Sequence, residues 1–111
     1  MAGSTENWKT QIRKGYLELC TLLLIKREKK LYGFDLLEKL AKSSLDVKEG
    51  TLYPLLNRMS ADGLLASSWE TENVKGHPRK FYSLTKEGAR LLEEMTGEFD
   101  EMVGIFRSLA K

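Results

Sequence analysis

One cysteine, one histidine and two prolines are all that this chain of 111 residues contains of those types. A lone Cys20 excludes an internal disulfide and fits a reducing compartment, the cytoplasm. Cys20 and His77 together cannot supply the ligands of a usual zinc site, so no metal is expected. Long apolar runs are missing too. The longest is Leu22-Leu23-Leu24-Ile25, far short of the ~20 residues that cross a bilayer, and no membrane partner is expected. Met1 to Asn7 have neither a basic start nor an apolar stretch, so no secretion signal is expected there. What remains, 41% apolar and 31% charged residues, is the composition of a globular domain. The length suits one such domain.

The net charge of +2 is small, but it is unevenly spread. Residues 1–86 carry 15 basic and 10 acidic side chains, and residues 87–111 carry 3 and 6. The front of the chain suits a polyanion and the tail would be repelled by one. Solvated helix faces would give the same scatter.

Apolar spacing predicts a first helix over about Trp8 to Lys29. Trp8, Ile12, Tyr16, Cys20 and Leu23 form one face, and Leu17, Leu19, Leu22, Leu24 and Ile25 widen it. A second helix follows Tyr32-Gly33, with Phe34, Leu37, Leu40 and Ala41 at helical spacing, and Ser43-Ser44 ends it. A third begins near Gly50. Leu52, Leu55, Leu56 and Met59 make its narrow buried stripe, Pro54 is expected in its first turn, and Gly63 is its C′ residue. The period then changes. Leu65, Ser67 and Trp69 alternate as in a strand, with Trp69 expected to pack. Asn73 to Pro78 have turn composition, and Arg79 to Leu84 suit a return strand. Thr85 is a good N-cap for a long helix over Lys86 to Lys111.

On that last helix Leu92, Met95, Phe99, Met102, Phe106 and Leu109 are spaced 3, 4, 3, 4, 3, an a/d seam. The preceding elements end at Leu84, so the tail should project beyond them and a second copy should cover Phe99, Met102 and Phe106. Packing of the whole tail on its own domain is the alternative. The order of elements predicts a mainly α chain with a small β-hairpin, a winged helix-turn-helix over residues 8–84 with a long C-terminal dimerisation helix over 85–111.

The third helix carries Thr51, Tyr53, Asn57 and Arg58 off its buried stripe. Arg and Asn side chains can fork onto guanine and adenine edges, and hydroxyls can hold phosphates. An ordinary amphipathic helix would also have a polar outer face. The turn and return strand gather Lys75, His77, Arg79 and Lys80, as backbone contact to DNA requires. No catalytic residue is expected, since neither His77 nor Cys20 has a partner for nucleophile activation. No cofactor is expected either, since Gly50 and Gly63 do not form a phosphate loop. The rival function is a winged-helix module that binds protein without DNA.

Four segments carry a resemblance: Tyr32-Gly33-Phe34-Asp35-Leu36, Glu49-Gly50-Thr51-Leu52-Tyr53-Pro54-Leu55-Leu56-Asn57-Arg58-Met59, Asp62-Gly63-Leu64, and Pro78-Arg79-Lys80-Phe81-Tyr82-Ser83-Leu84-Thr85-Lys86-Glu87-Gly88. Over about residues 10–90 the chain resembles the PadR family of bacterial transcriptional regulators, in its short form with one tail helix. Phe34 and Phe81 stand where tyrosine is commoner in that family. The resemblance implies a homodimeric repressor on a two-fold symmetric operator in double-stranded DNA. It implies that Thr51, Tyr53, Asn57 and Arg58 lie on the recognition helix, with Tyr32 near the DNA backbone and Lys75, His77, Arg79 and Lys80 in the wing. It adds Trp8 and Ile12 of the first helix to the dimer interface. Some short members bind flat hydrophobic compounds between subunits, and Trp8, Phe99, Met102 and Phe106 are the candidate walls here for a small hydrophobic or aromatic effector. A Met and Phe stripe at this spacing also serves as plain core or interface.

Overall fold

The computed structural model describes residues 3–70 and 79–111. Its elements are α1 (Glu6–Glu28), β1 (Leu31–Tyr32), α2 (Gly33–Lys42), α3 (Glu49–Ala61), β2 (Leu65–Glu70), β3 (Arg79–Leu84) and α4 (Lys86–Leu109). The order matches the expected one, with one addition. The two-residue β1 joins the hairpin, so the sheet has three antiparallel strands in the order β1-β3-β2. Leu31 pairs with Tyr82, Leu65 with Leu84, and Glu70 with Arg79.

Helix ends are set by local chemistry. Gly63 closes α3 with φ 79°. Its N–H donates to Ser60 and that of Leu64 donates to Met59, the paired bonds of a Schellman cap. Ser44 closes α2 in the same way. Its φ is 64°, and Ser44 and Leu45 donate to Ala41 and Leu40. Thr85 caps α4, its hydroxyl accepting from Gly88 N–H at 2.9 Å and donating to the Gly63 carbonyl at 2.6 Å. The α3 terminus and the α4 start are thereby tied through one side chain. Gly88 is buried there, and a Cβ on it would collide with the Leu64 backbone carbonyl. Only glycine lets α4 dock so closely.

Pro54 lies in the second turn of α3, not the first. It leaves the Gly50 carbonyl without its helical donor at an exposed position, where water can satisfy it.

The core is formed by Leu22 and Ile25 of α1, Leu36 and Leu40 of α2, Leu52, Leu56 and Met59 of α3, Tyr82 of β3 and Leu92 of α4. Two expected faces are corrected. On α2 the buried residues are Gly33, Leu36 and Leu40, while Phe34 and Ala41 face solvent. On α1 the buried face is made of Leu17, Leu19, Leu22, Leu24 and Ile25. The stripe of Trp8, Ile12, Tyr16 and Leu23 stays exposed. The C-terminal half of α1 is thus buried around most of its circumference, with Leu23 as its exposed apolar residue, while Trp8, Ile12 and Tyr16 lie in the N-terminal half.

The tail seam splits. Leu92 is 1% exposed and belongs to the protomer's own core, so it is removed from the surface offered to a second copy. Met95 and Phe99 are half-buried against that core, and Phe99 stacks on Tyr16 of α1 with ring centroids 5.6 Å apart. Beyond Phe99 the helix runs clear of the core. Met102 is 59% exposed, Phe106 64% and Leu109 81%, and Ile105 joins them.

Candidate nucleic-acid interface

The core residues of α3, Leu52, Leu56 and Met59, fix how the helix is turned. At 3.6 residues per turn, Thr51 and Tyr53 then lie about 200° apart around the axis. Tyr53 and Asn57 face α2 and the sheet. Thr51 and Arg58 face α1. Gly50, Pro54 and Asn57 are exposed along the ridge between.

On the sheet side an open concavity of about 500 Å³ is lined by Tyr32, Phe34, Tyr53, Asn57, Trp69, Arg79 and Lys80. The Tyr32 hydroxyl donates to Glu70 Oε1 at 2.7 Å, which ties β1 to β2 across β3. That bond holds the Tyr32 phenol above its usual pKa, so it is a donor at neutral pH. The Arg79 guanidinium sits over the Tyr32 ring at 4.7 Å, and Lys80 Nζ is 5.7 Å from the Trp69 ring centre. Such cation–π seating orients the cations while leaving their charge free for an anion. Gly33 has no side chain because the Tyr53 ring fills the space. A Cβ there would lie 2.6 Å from Tyr53 Cε1. Burial, and then the charge of Glu49, push the Tyr53 phenol up.

Five candidate residues therefore converge from β1, α3 and β3: Tyr32, Tyr53, Asn57, Arg79 and Lys80. Thr51 lies on the opposite flank of α3, in a second concavity against α1. Arg58 also faces away. Its guanidinium is 3.2 Å from Glu18 and 3.6 Å from Asp62. Lys75 and His77, with the turn Asn73 to Pro78, lie outside the described residues.

Sequence reasoning missed Phe34 and Trp69, each 62% exposed at this concavity. Phe34 becomes legible once Leu36 and Leu40 are taken as the core stripe of α2. Trp69 shares the strand face of buried Leu65, but β2 carries it beyond the core, so it does not pack as expected. Glu70 carried no signal.

Burial pushes the Cys20 thiol up, against the requirements of a nucleophile. Among the described residues no cluster of His, Cys, Asp and Glu is placed to hold a metal ion. Nor is any helix among them long and apolar enough to cross a membrane.

A three-helix core whose third helix stands exposed beside a basic, aromatic-lined strand pair is a winged helix-turn-helix. Residues 21–94 match the Transcriptional regulator PadR-like family, and the chain belongs to that family. It is 36% identical over 75 residues to Transcriptional regulator Rv3488 of Mycobacterium tuberculosis, covering 68% of each chain. A PadR family transcriptional regulator from Eggerthella lenta superposes with a TM-score of 0.85 at 30% identity, over 96% of this chain and 92% of that one. A PadR-like transcription factor from Bacteroides fragilis gives 0.78 at 42% identity, over 93% and 98%.

Proposed function

We propose that the chain is a dimeric repressor that places α3 in the major groove of a palindromic operator, with the wing against the adjacent backbone. The convergence of Tyr32, Tyr53, Asn57, Arg79 and Lys80 on one concavity carries this reading. Asn57 is the base reader, because it is exposed on the α3 ridge and its amide can fork onto an adenine edge. Arg79 and Lys80 hold phosphates, with Lys75 and His77 extending the wing, and Tyr32 lies near the backbone as the seat of Arg79, its hydroxyl proton committed to Glu70. Thr51 contacts the backbone from the α1 side.

Two copies pair through the apolar surfaces left open on the protomer. Trp8 and Ile12 continue the α1 stripe outward from Tyr16, and Met102, Phe106 and Leu109 continue the α4 stripe outward from Phe99. Exposed apolar side chains concentrated on two helices mark an association surface. Met95 and Phe99 border it. The same surface offers Trp8, Met102 and Phe106, with Phe99 at the edge, as walls for a planar aromatic effector whose binding releases the operator. The site of action is the cytoplasm.

The test is an electrophoretic shift of the duplex upstream of the chain's own gene, over a salt series. Retardation that is sequence-specific and weakens steeply with salt supports the DNA-binding regulator. Absence of retardation, or indifference to salt, favours a winged-helix module that binds protein.

A further inference from the structure

The α1-facing flank of α3 has its own cationic concavity, and neither Arg79 nor Lys80 lines it. It is an open hollow of about 390 Å³ between α1 and the segment leading into α3. Thr10, Arg13, Lys14 and Leu17 recur at i, i+3, i+4 and i+7, so they share one face of α1 and turn it toward Lys48 and Thr51. Arg13, Lys14 and Lys48 are exposed, and none enters an ion pair among the described residues. Asp46 is the carboxylate at the rim, leaving the hollow net positive. Its neighbour Arg58, in contrast, is neutralised by Glu18 and Asp62.

A B-DNA major groove is about 12 Å wide and is bounded by a phosphate strand on each side. A helix lying in it needs a cationic surface on both flanks. The sheet side of α3 provides Arg79 and Lys80, and the other flank provides Arg13, Lys14 and Lys48. We infer that Arg13, Lys14 and Lys48 form a second phosphate-contact surface, holding the backbone strand opposite the one held by the wing. This rests on the DNA-reading role of α3 proposed above. It gives the front half of α1 two tasks on two faces, with Trp8 and Ile12 toward a second copy and Arg13 and Lys14 toward DNA.

The test is fluorescence anisotropy of the full-length protein with the duplex upstream of its gene and with a random duplex, over a salt series. Arg13→Ala, Lys14→Ala and Lys48→Ala should each lower the slope of log affinity against log salt by about one, on both duplexes. Neutral methylphosphonates placed along one edge of the groove should weaken the wild type and the Arg79→Ala variant. The Lys14→Ala variant should be insensitive to the same substitution. Wild-type slopes in all three variants, with DNA binding intact, would overturn this inference and leave the proposed function standing. Failure of the wild type to bind either duplex would overturn both. Circular dichroism of each variant confirms that the fold is kept.

Discussion

The guanidinium of Arg58 is clamped between Glu18 of α1, 3.2 Å away, and Asp62, one helical turn further along α3. It lies in the second half of α3, with its charge matched locally and its side chain on the flank that faces away from the wing. Asn57 has no such partner among the described residues and is exposed on the ridge. Arg58→Ala should therefore change stability by no more than about 1 kcal/mol, the scale of exposed ion pairs. It should leave discrimination between operator and random DNA intact. Asn57→Ala should cost about 1–3 kcal/mol on the operator alone. Competition titrations of the two variants against specific and random duplexes check both outcomes.

The junction of α3, β2 and α4 predicts a pair of stability effects. Thr85→Ala removes the α4 cap and the bond to Gly63 together, and should cost about 1–2 kcal/mol. Gly88→Ala pushes a methyl group into the Leu64 carbonyl, and should cost about 1–3 kcal/mol. Urea unfolding should show lower midpoints with unchanged slopes.

The two halves of the tail seam should respond differently to substitution. Leu92→Ala opens a cavity in the protomer core and should cost about 2–5 kcal/mol of folding stability. Phe106→Asp touches no core residue. It should leave the circular dichroism spectrum unchanged while shifting the sedimentation coefficient from dimer to monomer.

The two tryptophans separate the two surfaces. Trp8 is on the helical stripe and Trp69 is on the wing. Planar aromatic compounds should quench wild-type and Trp69→Phe protein saturably, and the response should vanish in Trp8→Phe. Added duplex DNA should perturb Trp69 emission and leave Trp8 emission nearly constant. Steady-state fluorescence of the two single-tryptophan variants measures this.

The parts of the fold that local chemistry decides could be read directly. The Thr85 cap, the Gly63 terminus and the change of period after Gly63 are all set within a few residues. The rotation of α2 was not legible, because Phe34 and Leu37 are as apolar as Leu36 and Leu40. Only the neighbouring helices decide which pair is buried. The same degeneracy hid the division of α1 into a core face and an open stripe, and of the tail into Leu92 and Phe106. At the candidate site, Tyr53, Asn57, Arg79 and Lys80 were legible as residue types on a helix and a wing. Their union with Phe34 and Trp69 depends on β2 carrying Trp69 past the core. The engagement of Arg58 by Glu18 spans 40 residues of sequence, and no local pattern encodes it.

Light scattering coupled to size exclusion, at micromolar protein with and without the duplex from upstream of the chain's gene, counts the chains in the free particle and in the complex. A free particle of two chains, each of 12.7 kDa, and a complex of two chains on one duplex are expected. A free monomer that stays one chain per duplex, or that forms no complex, would refute the dimeric operator-binding arrangement.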